Sequence, residues 1–455
     1  QGALTPATML LDLRTSFLTR EDASYLPLNY DLQFRGPVRL REALASSYNV
    51  IAVKVLDAIG VEAMTGMARR IGITTLDDPD RLGLSVTLGG GEVRLLELAA
   101  AYGALANGGH AIRPTANLRV EDDAGHPLVE NAAGRILAPP LAGSGTGRVR
   151  VLDEQVAYLI TDILSDDAAR LPAFGEASVL QLSRPAAVKT GTTTDFRDNW
   201  TVGYTPQLVV GVWTGNADNE PMRDLSGIDG AAPIWHDFVE TALRGQPARQ
   251  FQRPGGLLDV EVCALSGLLP GPDCPHRVTE LFLEGTAPDQ TCTLHQRVAI
   301  DRATGLRATA NTPPEQVVHR VYTVLPAEAQ DWAREQGIPE PPPSPDPGPQ
   351  LAAAAPASSG PSLVMTAPDA GAVYRLDPAL PRHAQRIEVS VRPGTGTTLA
   401  EVTLLVDGQP LAHLIAAPYK LLWPLEPGVH VFSAEGIDTA GVRVTANEVR
   451  VEVRE

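Results

Sequence analysis

A short segment near the middle of the chain constrains the fold most. An apolar lead, residues 186–188, runs into the tetrad Lys189-Thr190-Gly191-Thr192, and two strand-like runs follow at residues 200–204 and 208–213. Apolar runs so close together predict a short meander of strands. Lys189 is a fixed cation, the threonine hydroxyls can bind a carboxylate, and Gly191 lets a substrate approach the backbone. The pattern predicts an edge strand that faces a binding site.

A second polar triplet, Ser47-Tyr48-Asn49, lies about 140 residues earlier in the chain. It separates two amphipathic segments, residues 38–45 and 50–59. Asn49 favours the N-cap of the second helix, and Gly60 favours its C′ position. Ser47 is therefore expected at a break between two helices, where its side chain can face a cleft. Taken alone, Ser47 and Asn49 would be interpreted as capping residues, and it is the Lys-Thr-Gly element that favours a site.

These motifs and the segments around them resemble the class A penicillin-binding proteins, and most closely their 1C subgroup. The resemblance is collinear and extends over nearly the whole chain. It is carried by Tyr25-Leu26-Pro27-Leu28-Asn29-Tyr30-Asp31, by Leu88-Gly89-Gly90-Gly91-Glu92-Val93, and by Lys189 to Thr192 followed by Asp198, Trp200, Gly203-Tyr204-Thr205-Pro206 and Gly211-Val212-Trp213. It implies the transpeptidase fold of that family, an α/β (α+β) arrangement with an antiparallel sheet packed between helices.

The resemblance also implies a role for each motif residue. Ser47 would relay a proton between a nucleophilic serine and the leaving group, Asn49 would bind the substrate amide, and Lys189 would supply positive potential. Thr190 and Thr192 would present hydroxyls to the substrate carboxylate, and the Thr192 N–H would be one oxyanion donor. For Gly191, close packing of strand and helix is an equally good interpretation. Residues in the loop that follows are expected to shape it rather than to act chemically; they are Asp195, Asp198 and Trp200.

The sequence departs from the family pattern at the nucleophile. Its three lysines are Lys54, Lys189 and Lys420, and the residues three positions earlier are Ile51, Ala186 and Ala417, so it contains no Ser-x-x-Lys. The chain begins with Gln1. We expect a fragment that starts downstream of its catalytic serine, with the family's glycosyltransferase domain and membrane anchor further upstream.

Composition shifts and periodicity predict four regions: residues 1–250, a mixed α/β domain; 251–336, a small cysteine-containing annex; 337–362, a proline- and alanine-rich linker; and 363–455, an all-β module. The resemblance implies that the first region is a transpeptidase domain. Apolar spacing predicts helices over residues 94–106, 154–165 and 232–243, the last with Ile234, Phe238, Val239 and Ala242 on one face. Alternation at residues 387–391, 402–406 and 449–453 predicts a β-sandwich, which resembles the immunoglobulin-like C-terminal domain of the 1C subgroup.

The cysteines leave two interpretations open. Cys263, Cys274 and Cys292 with His295 have the composition of a Cys3His zinc site. A Cys263–Cys274 disulfide is slightly favoured, because the family resides outside the cytoplasmic membrane, where disulfides form. Neither group would be catalytic.

The expected function is the D,D-transpeptidase portion of a bifunctional peptidoglycan synthase. Its partners would be D-Ala-D-Ala stem peptides and β-lactams, with wall-synthesis proteins as candidate partners of the C-terminal domain, at the periplasmic side of the bacterial inner membrane. No cofactor is expected, and contact with the membrane is expected only through the missing anchor. A net charge of −17 argues against nucleic-acid binding. A D,D-carboxypeptidase or β-lactamase-like serine hydrolase, and a non-catalytic wall-binding fragment, are the alternatives.

Overall fold

The chain forms two compact units, one of residues 1–14 and 28–346 and the other of residues 15–27 and 347–455. The computed structural model describes residues 4–18, 24–78, 81–111, 114, 116, 119–130, 149–193, 196–222, 226–343, 363–368, 372–376, 385–393, 399–415, 419–438 and 442–454. Residues 344–362 of the predicted linker lie outside this set. Within it, the structure has no helix with the length and hydropathy of a membrane span.

The helices and strands follow one another along the chain in a mixed order. The elements before residue 112 are β1 (Met9–Asp12), β2 (Phe17–Leu18), β3 (Ser24–Tyr25), β4 (Gly36–Arg39), α1 (Leu40–Ala45), α2 (Asn49–Ile59), α3 (Val61–Arg70), a 3-10 helix (Leu84–Leu88), α4 (Leu95–Ala106) and β5 (His110–Ala111). Those up to residue 242 are β6 (Arg119–Glu121), β7 (Pro127–Glu130), β8 (Val149–Arg150), α5 (Glu154–Leu164), α6 (Asp167–Phe174), β9 (Ala187–Thr192), β10 (Asp198–Tyr204), β11 (Val209–Gly215) and α7 (Ala231–Ala242).

The remaining elements are mostly strands. Those before the linker are β12 (Leu257–Cys263), β13 (Arg277–Leu283), β14 (His295–Asp301), β15 (Val317–Thr323) and α8 (Gln330–Glu335), with 3-10 turns at Pro314–Gln316 and Ala327–Ala329. Those after it are β16 (Leu363–Ala367), β17 (Val373–Arg375), β18 (Arg386–Pro393), β19 (Leu399–Val406), β20 (Gln409–Leu414), β21 (Lys420–Pro424), β22 (Gly428–Asp438), β23 (Arg443–Thr445) and β24 (Val449–Arg454).

The Lys-Thr-Gly tetrad lies on β9, an outer strand of an antiparallel sheet with the order β11-β10-β9. Side chains on β9 alternate between two helical layers. Ala187 packs with Leu164 of α5 and with Tyr204, whereas Val188 packs with Trp235 of α7. Helices α4 and α5 therefore cover one face and α7 covers the other. This is the predicted antiparallel sheet between helices, and it directs Lys189 to the same side as Ala187.

The predicted buried face of α7 is wrong at three positions. Ile234, Phe238 and Ala242 are exposed, the first two to 53% and 55%, whereas Trp235 and Val239 are almost fully buried. The pair Ile234 and Phe238 and the pair Trp235 and Val239 both have the i, i+4 spacing of one helical stripe, so periodicity alone does not choose between them. The sheet selects Trp235, because a Cβ atom at Gly203 of β10 would lie only 2.6 Å from the Trp235 ring.

The region of residues 251–336 belongs to the first unit and is built mainly from two hairpins, β12–β13 and β14–β15. A buried charge network joins β13 to the helices before it. The Arg41 guanidinium of α1 donates to both carboxylate oxygens of Glu280, to Asp162 of α5 at 2.6 Å, and to Asp166 at 3.1 Å. Glu280 is buried, so its charge is compensated within the protein.

Apart from the β2–β3 pair, the described part of the second unit has two sheets around one hydrophobic core. One sheet has the order β16-β18-β21, and the other contains β17, β24, β22, β19, β20 and β23. Val389 of β18 and Trp423 of β21 meet Leu404 of β19 and Phe432 of β22 in this core. The turn after β19 has positive φ at Asp407 and Gly408, as expected for an Asp-Gly hairpin. The alternating strands thus form the two-sheet arrangement that their pattern predicts.

Candidate active site

Ser47 lies in the turn between α1 and α2, and this turn caps α1. The N–H of Ser47 donates to the Leu44 carbonyl at 3.3 Å, and that of Tyr48 donates to the Ala43 carbonyl at 2.9 Å. This pair of hydrogen bonds is a Schellman motif, in which the C′ residue is left-handed and usually glycine. Ser47 occupies that position with φ of 61°. A left-handed backbone at a residue other than glycine costs on the order of 1–3 kcal/mol, so the turn holds Ser47 in a strained conformation.

Asn49 is the first residue of α2 and not its N-cap, which is Tyr48. The predicted capping role of Asn49 is therefore wrong, because the Schellman turn uses residues 46–48 and places the extended residue that precedes α2 at Tyr48. The half-buried Asn49 side chain instead donates through Nδ2 to the Leu28 carbonyl at 2.9 Å. Gly60 ends the helix with φ of 83°, but as its C-cap, one position before the C′ position predicted for it.

A buried pair behind α2 holds the segment that Asn49 contacts. Asn29 donates through Nδ2 to both carboxylate oxygens of Asp12 at 2.9 Å, and its Oδ1 accepts from the Val50 N–H at 3.3 Å. Burial raises the pKa of Asp12, and the hydrogen bond from Asn29 opposes that shift. Residues 28 and 29 are thereby tied to the start of α2 at two points. Sequence reasoning missed this support, although Asn29 lies in a segment that carries the family resemblance.

Lys189 brings the two motifs together. Its Nζ donates to Ser47 Oγ at 2.6 Å across 142 residues of sequence, and it also donates to the Thr190 carbonyl at 2.7 Å. The contact arises because β9 packs against α5, α5 packs against α1, and Ser47 follows the end of α1. The serine and the lysine predicted from separate motifs are therefore direct neighbours.

The surroundings of Lys189 disfavour its positive charge. Burial, and secondarily the Arg170 guanidinium, lowers the pKa of Lys189 to about 8. Arg170 is a buried residue of α6 that donates to the Leu164 carbonyl at 2.5 Å. Helix α6 is tied to the turn by Ser46, whose Oγ donates to the Ala169 carbonyl at 3.0 Å. Lys189 is thus mostly protonated at neutral pH but releases its proton more easily than an exposed lysine does. No sequence motif indicated Arg170.

Thr192 is fixed by a close backbone approach. Its Oγ1 accepts from the Gly227 N–H at 2.9 Å, so the hydroxyl proton stays available for another acceptor. A Cβ atom at Gly227 would lie 2.7 Å from the Gly191 carbonyl oxygen, whereas one at Gly191 would meet Trp200 Cβ at an ordinary 3.6 Å. Packing therefore requires glycine at position 227 and not at position 191. Thr190 is half-buried on the same strand.

Asp198 organises the end of β9. Its carboxylate accepts from Trp213 Nε1 at 2.7 Å and from Thr193 Oγ1 at 3.2 Å. Trp200 lies two residues further along β10, opposite Gly191. These contacts agree with the shaping role expected for Asp198, while Asp195 lies outside the described residues.

The three cysteines come together with His295 in the region of residues 251–336. Cys263, Cys274 and Cys292 are all buried and free, so the Cys263–Cys274 disulfide favoured from the sequence is wrong in this structure. The three Sγ atoms and a ring nitrogen of His295 lie within 4.8 Å of one another.

Three sequence families match consecutive parts of the chain. Residues 15–240 match the penicillin binding protein transpeptidase domain, residues 253–297 match the penicillin-binding protein 1A C-terminal domain, and residues 352–451 match the penicillin-binding protein C-terminus family.

Individual relatives agree with these matches. Penicillin-binding protein 2D of Bacillus subtilis is 33% identical over 64% of this chain and 41% of its own length. Penicillin-binding protein 1C of Escherichia coli is 30% identical over 73% of this chain and 40% of its own length. The crystal structure of penicillin-binding protein 1A from Haemophilus influenzae superposes with a TM-score of 0.54 at 26% identity, covering 64% of this chain and 46% of that chain. The predicted transpeptidase fold is confirmed. The chain spans about two fifths of the length of these two curated relatives.

Proposed function

Because the chain belongs to the penicillin-binding protein family, we propose that it supplies the Ser-x-Asn and Lys-Thr-Gly parts of a peptidoglycan D,D-transpeptidase site. The observation that carries the proposal is the 2.6 Å hydrogen bond from Lys189 Nζ to Ser47 Oγ. It joins a cation of lowered pKa to a hydroxyl in a strained turn, which is an arrangement suited to proton transfer.

The proton path follows from this contact. When an acyl group moves from a D-Ala-D-Ala stem peptide to a serine, the leaving amine needs a proton. Ser47 gives its hydroxyl proton to that nitrogen, and Lys189 replaces it through the bond already present. A lysine with a pKa of about 8 gives up a proton at lower cost than one with its ordinary value of 10.5. Asn49 orients the substrate amide.

Substrate binding uses β9. As an outer strand, β9 offers backbone groups to an extended peptide. The hydroxyls of Thr190 and Thr192 bind the terminal carboxylate, Lys189 adds positive potential, and Gly191 leaves space beside the strand. The same groups bind a β-lactam, whose carboxylate and acyl carbonyl have the same chemistry.

The reaction also needs a nucleophile. The 455 residues contain no Ser-x-x-Lys, so the proposal requires a serine from outside them. In the whole protein, acyl transfer would cross-link stem peptides next to a glycosyltransferase domain, on the outer side of the cytoplasmic membrane. The C-terminal unit is proposed as the surface for wall-synthesis partners.

Labelling with a fluorescent penicillin, followed by denaturing electrophoresis, tests the assignment. The 455-residue chain should stay unlabelled, and a chain extended upstream through its Ser-x-x-Lys should be labelled. In the extended chain, Lys189→Met should slow labelling by about 10²-fold or more. Lys420→Met removes a lysine that is 52% exposed and should leave the rate unchanged. Stable labelling of the 455-residue chain, or normal labelling of the Lys189 variant, would refute the proposal.

The fate of the acyl group separates the related functions. With an acceptor amine, a transpeptidase forms a new amide, whereas a D,D-carboxypeptidase or β-lactamase-like enzyme releases the acid. The lack of Ser-x-x-Lys in these residues favours one further candidate, a non-catalytic wall-binding fragment. Sedimentation with purified peptidoglycan, without labelling of the extended chain, would support that function instead.

A further inference from the structure

A second constellation lies away from Ser47 and Lys189, where β12, β14 and the loops next to them meet. Cys263 is the last residue of β12, Cys274 precedes β13, Cys292 precedes β14, and His295 is the first residue of β14. One ligand atom from each residue falls within a 4.8 Å cluster. We propose that these four residues bind a zinc ion as a structural Cys3His site.

The distances fit tetrahedral coordination. With Zn–S near 2.3 Å and Zn–N near 2.0–2.1 Å, the sulfur–nitrogen edge of a tetrahedron is about 3.5 Å, and the sulfur–sulfur edge is about 3.8 Å. His295 Nδ1 lies 3.6 Å from Cys263 Sγ and 3.4 Å from Cys292 Sγ. The Nδ1 atom of His295 therefore lies, from both sulfurs, at the ligand–ligand distance that a tetrahedral zinc site requires. Ordinary packing of thiols against apolar neighbours does not require this arrangement.

The surroundings support bound thiolates. Leu265, Leu268 and Leu294 pack against the three buried cysteines and limit the access of water. The Gly271 N–H donates to Cys274 Sγ at 3.3 Å, which is the kind of outer contact that orients a ligand and stabilises its charge. A disulfide would use two of the sulfurs and leave the third cysteine and the imidazole without a reason to converge. Zinc uses all four.

The site has a clear structural purpose. The hairpins β12–β13 and β14–β15 are two-stranded, and such hairpins are marginal alone. The four ligands come from the end of β12, the loop between β12 and β13, the connection before β14 and the first residue of β14, so one ion ties both hairpins together. Four protein ligands leave no open position, so the site is structural and not catalytic. Binding of Zn²⁺ displaces the three thiol protons to solvent, so metal uptake releases acid.

The untagged 455-residue chain, expressed and dialysed in buffer with trace zinc, tests the inference by elemental analysis. We expect one zinc per chain, and we expect cobalt to give the visible absorption of a tetrahedral thiolate site. Cys274→Ser and Cys292→Ser should each lower the zinc content at least tenfold after removal of weakly bound metal by a chelator. His295→Cys preserves four ligands and should keep the metal. His276→Asn alters an exposed histidine next to the cluster and should also keep it.

Measurements on the unmodified chain are sufficient to overturn the proposal, even if the variants fail to fold. Three free thiols with no zinc after refolding in zinc-containing buffer would show a cluster of packing cysteines. A chain mass that is lower than that of the fully reduced chain by two hydrogens, together with one free thiol per chain, would show a disulfide. Undiminished zinc in Cys274→Ser would place the metal elsewhere. Because none of these measurements involves acylation, they are independent of the transpeptidase proposal.

Discussion

Lys189 is a cation whose surroundings favour its neutral form, and this should appear in the pH dependence of stability. The folded pKa is about 8 and the ordinary value is 10.5, so between these pH values the unfolded chain binds more protons than the folded chain. The unfolding free energy therefore rises with pH across this window, by at most about 3 kcal/mol from this residue. Below pH 8 both states hold the proton, and the cost of burying the charge is fully present.

Denaturant unfolding of the 455-residue chain and of Lys189→Met between pH 7 and 10.5 measures this contribution. The unfolding free energy of the unmodified chain minus that of the Lys189→Met variant should increase as pH rises. Contributions from the other titrating groups cancel in this difference. Lys420→Met removes a lysine whose side chain is 52% exposed and controls for the loss of a lysine side chain as such. If the difference in unfolding free energy between the unmodified chain and Lys189→Met did not change with pH, the Lys189 charge would be well solvated in the folded state.

The turn at Ser47 offers a second test at this scale. Ser47→Ala and Ser47→Gly both remove the hydroxyl that accepts from Lys189, and they differ only in backbone freedom. At φ of 61°, glycine should be more stable than alanine by about 1 kcal/mol. The midpoints of urea unfolding, with equal m-values, would measure this difference. Equal stability of the two variants would mean that the turn carries no strain.

At the scale of elements, the sequence predicts the helices and strands that are marked by a local pattern of apolar residues. Strands β9 to β11 and helices α4 and α5 follow from runs of apolar residues, which burial enforces directly. The buried face of α7 does not, because Trp235 and Phe238 belong to adjacent stripes and only the space at Gly203 decides between them. The contact of Ser47 with Lys189 was predictable from the chemistry that both motifs share.

Long-range polar partners escape sequence reasoning for a physical reason. Arg170, Asn29 and Gly227 support the site through contacts that depend on how distant elements pack, and the periodicity of the sequence around them does not predict such contacts. The cysteines illustrate the same limit. Their spacing is compatible with either a disulfide or a metal, and only the positions of four side chains in space distinguish the two.

The Arg41–Glu280 network gives a prediction for an element. Glu280→Gln leaves the Arg41 and Arg39 guanidiniums without their buried carboxylate partner on β13. Removing one partner of a buried ion pair costs about 3–5 kcal/mol, so the first unit should lose stability of that order. Thermal unfolding followed by circular dichroism measures the loss.

A matched control for Glu280 lies in the same hairpin. Glu261 on β12 pairs with Arg277 on β13 at 3.2 Å, and both side chains are about half exposed. Exposed pairs contribute roughly 0–1 kcal/mol, so Glu261→Gln should change stability little. Similar losses for the two variants would mean that the Arg41 network is as well solvated as a surface pair.

At the scale of the whole molecule, the two compact units should respond separately to core damage. Phe432 on β22 is fully buried, with its ring 5.2 Å from that of Trp423 between centroids. Phe432→Ala should cost the second unit about 3–5 kcal/mol and lower its melting temperature by more than about 10 °C. Val429 on the same strand is 47% exposed, so Val429→Ala should change the stability of the second unit little.

Differential scanning calorimetry of the full chain should show two transitions. Phe432→Ala should lower the temperature of one transition, and Glu280→Gln should lower that of the other. If each variant displaced both transitions equally, the two units would form a single cooperative structure.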